Sequence, residues 1–430
     1  MHNTDNTQAY IDVLKEELVI AIGCTEPVAL ALAAATLKEI FGRSPKTIKV
    51  RTSGAFFKNI RAAIVPGTTS LAGIKGSVAA GHVAGDPRKG LEVLKTLSDD
   101  VIPDIRRMAE QDIFTVEVMK TPEPLHIILT YEDDQGYAEI EVVRHHTHVI
   151  RLEKDGLPLA VDTLTPGKTT VLSDRGFMRF DDIIRFIETV SPKVLHPLIE
   201  PVIRHNMAIA EEGMKGHYGV GIGPIILKKE PTPYGRLKAY AAAASEARMC
   251  GSRMPVVTNS GSGNQGMTAS VPVIVHAKEH AVSEEKLIRA LALSALFTIH
   301  QKSYIGRLSA FCGAVSAAAA AGAAMTWLEG GTPDMIKNTV TNTLASAGGI
   351  LCDGAKGSCG FKIATELDAA VTGHLMALEG KVYRPGSGIV RCDAEETITA
   401  VGTIATEGMK QTDKVILDMM SEPLSCLGTF

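Results

Sequence analysis

The chain has 430 residues, 45% of them hydrophobic, which is enough for two or three domains with a sizeable core and excludes a disordered protein. Its formal charge of −4 provides no general basic field to gather nucleic acid or anionic lipid, so a small-molecule partner is expected, with no nucleic acid and no membrane. Seven scattered cysteines, an odd number, do not make a disulfide framework, and Met1 to Gln8 holds neither a basic leader nor an apolar core. A reducing, cytoplasmic setting is expected, where any special cysteine is a ligand or a nucleophile.

Tyr10, Ile11, Val13, Leu14, Leu18 and Val19 fall at helical spacing and predict an amphipathic helix over 7–20. Ile22-Gly-Cys-Thr-Glu-Pro27 interrupts it. A second helix, apolar almost all round from Val28 to Ile40, is expected to start with Thr25 as its N-cap and Pro27 in its first turn. Cys24 then sits beside a helix N-terminus, which favours a thiolate; a metal-binding or reactive cysteine and a small buried junction residue are both open readings. From Thr47 the pattern turns to strands, at 48–51, 114–118, 125–131, 137–143 and 148–152, with helices between about 71 and 84 and between 90 and 110. After Pro166-Gly167 the strand signal fades, and from Asp181 onward nearly everything reads helical and Ala-rich. The expected fold class is α+β (α/β): a mixed, largely antiparallel sheet domain over 45–175 and an Ala/Gly-rich helical domain over 176–430. The N-terminal helices of 1–44 are expected to pack with the helical domain. The uncharged run between Arg307 and Glu329 has the length of a membrane span, but its Ala, Gly and Ser content predicts a central helix of a core.

Gly261-Ser-Gly-Asn-Gln-Gly266 matches a dinucleotide-binding fingerprint. The match is set aside because the glycines should open a helix, whereas Met267 to Val275 contains Pro272 and a β-branched run. Asn259, Ser260, Ser262, Asn264 and Gln265 offer instead a set of donors for a carboxylate, with glycines that admit backbone N–H groups. The same loop looks like the asparagine loop of pyridoxal-phosphate β-eliminating enzymes; Lys238 would be the Schiff-base lysine, but a tetraglycine phosphate cradle is missing. His146 and His148 are expected on one face of a strand, His146 as a substrate contact more than a metal ligand. Ser53, Lys58 and Asn59 form a polar cluster for which an exposed loop is the plain reading. His300, shortly before Cys312, is the candidate general base. Cys352 and Cys359 share a Gly-rich loop whose spacing is not a standard zinc spacing.

Four motifs, Gly23-Cys-Thr-Glu-Pro27, Ser260-Gly-Ser-Gly-Asn-Gln-Gly266, Leu308-Ser-Ala-Phe-Cys312 and Cys352-Asp-Gly-Ala-Lys-Gly-Ser-Cys359, together resemble the L-cysteine desulfidase family. That family is related to the α chain of iron–sulfur L-serine dehydratases. The resemblance implies a [4Fe–4S] cluster held by Cys24, Cys312 and Cys352, with Cys359 as substitute for the last and one iron open to substrate. It also makes Cys426 notable, because a C-terminal cysteine can occupy the open iron in the serine dehydratases. The implied activity is β-elimination of L-cysteine to pyruvate, ammonia and sulfide. The carboxylate and amine would go to the 259–266 loop, helped by Asn59 and His146, with His300 and Lys302 as proton donors. L-serine dehydration by the same mechanism, a pyridoxal-dependent lyase and a non-catalytic iron–sulfur sensor are the alternatives, and a homodimer is one admissible assembly.

Overall fold

A computed structural model describes residues 6–68, 70–160 and 173–421. Cys426 and the Pro166-Gly167 boundary lie outside the described residues. The first element is helix α1 (Thr7–Glu17), which stops short of the expected 20 because Ile20–Ile22 forms a short strand, β1. Helix α2 (Thr25–Phe41) follows, then strand β2 (Thr47–Ser53), helices α3 (Gly54–Ile60), α4 (Gly73–Ala84) and α5 (Ile102–Ala109), and strands β3 (Phe114–Met119), β4 (His126–Asp133), β5 (Gly136–Val143), β6 (Val149–Lys154) and β7 (Leu157–Pro158). The helix expected over 90–110 is confined to α5 preceded by 3₁₀ turns, since Gly90 takes φ 53° and Pro103 belongs in a first turn.

The sheet runs in the order β3-β2-β4-β5-β6-β7; only β2 and β3 are parallel. Its buried face carries Ile48, Val50, Leu129 and Ile140, packed against Ala29, Leu30, Ala33 and Leu37 of α2. The opposite flank of α2, with Val28, Ala31, Leu32 and Ala35, packs with Ala79 and Ala80 of α4. This double burial explains a helix apolar all round, and it corrects the expectation that the N-terminal helices join the helical part: α2 belongs to the sheet layer. Tyr10, Ile11, Val13 and Leu14 of α1, by contrast, share a core with the C-terminal helices.

The C-terminal half is helical, as expected: α6 (Phe180–Thr189), α7 (Pro192–Gly213), α8 (Ile222–Lys229), α9 (Pro233–Met249), strand β8 (Pro255–Val257), α10 (Gly263–Glu279), α11 (Glu284–Ile305), α12 (Gly313–Leu328), α13 (Pro333–Ala347), α14 (Cys359–Leu378), α15 (Ala394–Thr403) and α16 (Lys410–Ser421). No described helix is long and apolar enough to cross a membrane. Helix α12 is buried from Ala314 to Thr326 between α10, α11, α13 and α14, where its small side chains permit close packing on every side.

Two connections position the site. Strand β1 pairs antiparallel with β8, Ile20 opposite Val257 and Ile22 opposite Pro255, which sets the Gly23–Glu26 corner beside the loop that follows β8. That loop does open a helix, α10, with the Ser262 hydroxyl accepting from the Gln265 N–H (3.5 Å). The opposite expectation, based on Pro272, is corrected; a helix buried along most of its length tolerates the proline because tertiary packing outweighs propensity.

Candidate active site

Between these corners lies a cavity of about 850 Å³, part of it open to solvent, and Cys24, Cys312, Cys352 and Cys359 all line it. Cys24 is the N-cap of α2, a place expected for Thr25, and Cys312 is the N-cap of α12; Cys359 is the first residue of α14. Thr25 instead donates its hydroxyl to the Gly261 carbonyl (3.1 Å), tying the start of α2 to the loop before α10. Cys312 and Cys352 are held alongside each other. The Cys312 N–H donates to Ile350 O (3.1 Å) and the Cys352 N–H to Ala310 O (2.7 Å), around an antiparallel bridge between Phe311 and Leu351.

Lys58 fastens this pair to the sheet domain. Its side chain is 1% exposed, pairs with Asp413, and donates to the carbonyls of Ser309 (3.4 Å) and Cys352 (3.1 Å). The exposed-loop reading of Ser53, Lys58 and Asn59 is therefore corrected: Ser53 caps α3 by accepting from the Phe56 N–H (3.3 Å), and the other two side chains are buried. Asn59 reaches the cavity, 3.5 Å from Glu26 Oε1.

Ser260, Ser262, Asn264, Gln265 and His146 also line the cavity. The loop is strained there at Ser260, a non-glycine residue with φ 50°, while Gly261 takes φ 79° as glycine can. A side chain at Gly261 would collide with Arg307, whose guanidinium donates to both oxygens of Glu17 (2.9 and 3.0 Å). Asn259 does not face the cavity; its amide is spent on Ala295 O (3.1 Å) and on the Ser260 hydroxyl (2.9 Å), so it braces the loop. His146 and His148 do not share a strand face, because Arg144 turns the chain with φ 65° and the histidines fall in the β5–β6 turn. His146 is buried with Nε2 3.7 Å from Glu26 Oε1, whereas His148 Nδ1 sits 3.2 Å from Val143 O. His300 is likewise not at the cavity: its Nε2 meets Glu395 (2.8 Å) on the other side of α11, while Lys302, two residues on and about 200° round the helix, lines the cavity.

Three residues that line the cavity went unrecognised in the sequence, Glu26, Arg248 and Lys362, and Glu366 adds a fourth group beside Cys312. Glu26 follows Cys24 closely enough to have been suspected; Arg248, in the last turn of α9, and Lys362 and Glu366, in the first turns of α14, fall inside helical patterns with no local signal. Arg248 is fully buried, and among the described residues its side chain has one hydrogen bond, from Nη1 to Asn264 Oδ1 (3.0 Å), with Nε and Nη2 left without partners. Burial pushes its guanidinium pKa down, and pushes Lys302 down to about 8. The thiols respond in the opposite sense: burial raises Cys24, Cys312 and Cys359, with Glu26 adding to the rise at Cys24 and Glu366 at Cys312. Burial also lifts the Glu366 carboxyl to about 8. For Glu26 burial works upward, yet His146 and the Cys24 thiol, which donates to it at 3.1 Å, bring it to about 2. The cavity thus brings together soft donors, buried cations and a carboxylate–imidazole pair.

A serine dehydratase alpha chain family model matches residues 92–418, and the chain belongs to that family. Among its relatives, a UPF0597 protein of Treponema denticola is 42% identical across 96% of this chain and 97% of its own length. UPF0597 proteins of Lachnoclostridium phytofermentans (42% identical, 95% of this chain, 98% of the relative) and Fusobacterium nucleatum (40%, 96% and 98%) are similar over the same span.

Proposed function

We propose that this protein is an iron–sulfur-dependent lyase that eliminates the β-substituent of L-cysteine, releasing sulfide, pyruvate and ammonia. The observation that carries the reading is the convergence of four cysteines from three distant segments on one cavity that also holds a buried guanidinium with two donor groups unpartnered among the described residues. The donor set fits a [4Fe–4S] cluster. Buried thiols pushed up in pKa stay protonated until a cation stabilises their thiolates, and, among the described residues, the cysteines form no group tight enough for a single ion. Cys24, Cys312 and Cys352 are the proposed ligands, and Cys359, in the same loop, is the substitute. When bound, such a cluster would supply a Lewis-acidic iron for the departing sulfur or oxygen.

The chain's own residues supply the rest. Arg248, through Nε and Nη2, and the donors of Ser262, Asn264 and Gln265 hold the substrate carboxylate, Ser260 shapes the loop by giving its hydroxyl proton to Asn259 Oδ1 (2.9 Å), and Asn59 helps to orient the amine. His146 Nε2 takes the α-proton, and the Glu26 carboxylate 3.7 Å away stabilises the imidazolium that forms. Lys302 Nζ gives a proton to the departing group as the Cβ–S or Cβ–O bond breaks. The remaining aminoacrylate hydrolyses in water to pyruvate and ammonia. Lys302 is also the feature that favours the second reading, L-serine, whose hydroxide leaves poorly without a proton. A pyridoxal-dependent lyase is not supported, because Lys238 is occupied by Glu230 (2.6 Å) and Asp368 and does not line the cavity.

The test is anaerobic turnover of both amino acids, with iron analysis of Cys24→Ser, Cys312→Ser, Cys352→Ser and Cys359→Ser. Iron lost in the first three and kept in the fourth, with pyruvate and sulfide from L-cysteine, is expected. Pyruvate from L-serine at the higher kcat/KM would replace the desulfidase reading with a dehydratase. An iron-free protein after reconstitution would end the cluster reading.

A further inference from the structure

The helices that present their N-termini to the cavity, α10, α12 and α14, also meet at their far ends, about 25 Å away by the length of α10. There His276 and His280, one turn apart on α10, meet Glu329 at the end of α12 and His374 near the end of α14. One donor atom each from His276, His280 and Glu329 lies within 4.8 Å of the others, a group that does not include His374. His276 Nε2 is 3.2 Å and His374 Nε2 3.4 Å from the same oxygen, Glu329 Oε1. Both imidazoles are essentially inaccessible, and among the described residues neither Nε2 makes a hydrogen bond.

Hydrogen-bond accounting allows an arrangement other than the simple one in which both rings donate to Glu329. Thr326 Oγ1 lies within hydrogen-bond distance of Gly322 O (3.1 Å), Thr339 Oγ1 (2.7 Å) and His374 Nδ1 (2.9 Å); where its proton goes to either oxygen, the His374 Nδ1–H donates to it and His374 Nε2 carries a lone pair aimed at a carboxylate. His280 Nδ1 lies 2.8 Å from His276 O, a carbonyl that can only accept, so His280 Nε2 is also bare. Two lone pairs and a carboxylate facing one point repel one another unless a cation sits among them. Ligand bonds of about 2.05 Å in a tetrahedron place neighbouring donor atoms roughly 3.3 Å apart, matching the 3.2 and 3.4 Å separations. The negative ends of three helix dipoles add to the attraction for a cation.

We propose that His276, His280 and Glu329, with His374 beside Glu329 as the fourth candidate ligand, bind a divalent transition metal ion of the Zn²⁺ class, which clamps the far ends of the three helices that build the catalytic cavity. The nitrogen-rich donor set with one carboxylate suits Zn²⁺ or Co²⁺ over Mg²⁺ or Ca²⁺. This site does not depend on the cluster or on the lyase reading.

The test titrates the full-length, cluster-loaded protein with Co²⁺ and follows visible d–d absorption, then displaces it with Zn²⁺. Wild type should take up one equivalent at micromolar metal with tetrahedral bands and no thiolate-to-metal charge-transfer band, which separates this site from the cysteines. His280→Ala and Glu329→Gln, both at solvent-facing positions, should weaken binding at least tenfold while leaving circular dichroism unchanged. Zn²⁺ should raise the Tm of wild type and not of the variants. No uptake by wild type, or equal uptake by wild type and both variants, overturns the proposal, as does a Co²⁺ spectrum showing thiolate ligation alone.

Discussion

Arg248→Met is the most discriminating substitution in the cavity, because it should move stability and substrate binding in opposite directions. The guanidinium is buried with one hydrogen bond, to Asn264, and two unused donor groups, Nε and Nη2. A substrate carboxylate would engage both, and two charge-assisted hydrogen bonds at about 1.5 kcal/mol each amount to about 3 kcal/mol. Kcat/KM for both amino acids should therefore fall roughly 100-fold, mainly through KM. The methionine keeps much of the packing and removes a buried charge without a full set of partners, so urea unfolding of the apoprotein should show unchanged or higher stability. The assay is anaerobic pyruvate formation over a range of L-cysteine and L-serine, with iron content measured on the same samples. An unchanged KM would refute the anchoring role. Loss of iron with the loss of activity would mean that Arg248 serves the thiolates of Cys24 and Cys359, toward which its charge is also directed.

Lys58→Met should lower stability by about 1–3 kcal/mol, since two carbonyls and Asp413 lose their partner, and should reduce iron content because the Cys352 segment loses its tie to α3; unfolding curves and iron analysis read both. Gly23→Ala should cost about 2–3 kcal/mol, as residue 23 has φ +68° and a Cβ would lie 2.0 Å from Pro66 Cγ; a variant as stable as wild type would show that the Cys24 corner is not rigid. Burial, and then Lys38, lower the His82 pKa to about 4. The unfolded chain therefore binds a proton that the folded chain refuses as pH drops from about 6.5, and stability declines through the window from 6.5 to 4. His82→Phe should flatten that decline, measured as the difference between urea midpoints at pH 7 and pH 5.

The sequence by itself determined the composition of the site more than its shape. The cysteines at 24, 312, 352 and 359 and the Ser/Asn/Gln loop were legible because each interrupts a strongly apolar helical pattern, and turns with such chemistry stand out from their surroundings. The alternating strands and the Ala-rich helices were legible for the same reason, being periodic over many residues. Tertiary structure decided which face each side chain takes. Three residues of sequence carry His300 and Lys302, yet a rotation of about 200° sends one to Glu395 and the other to the cavity, and nothing local tells which flank of α11 meets the site. Likewise α2 carried no one-sided stripe to show its partner, because both of its flanks are buried, one on the sheet and one on α4. Arg248 and Glu366 sit within helices α9 and α14, and only the folded chain removes them from water without a full set of partners. Isolation of that kind is a property of packing between distant segments, so it has no signature in the order of residues.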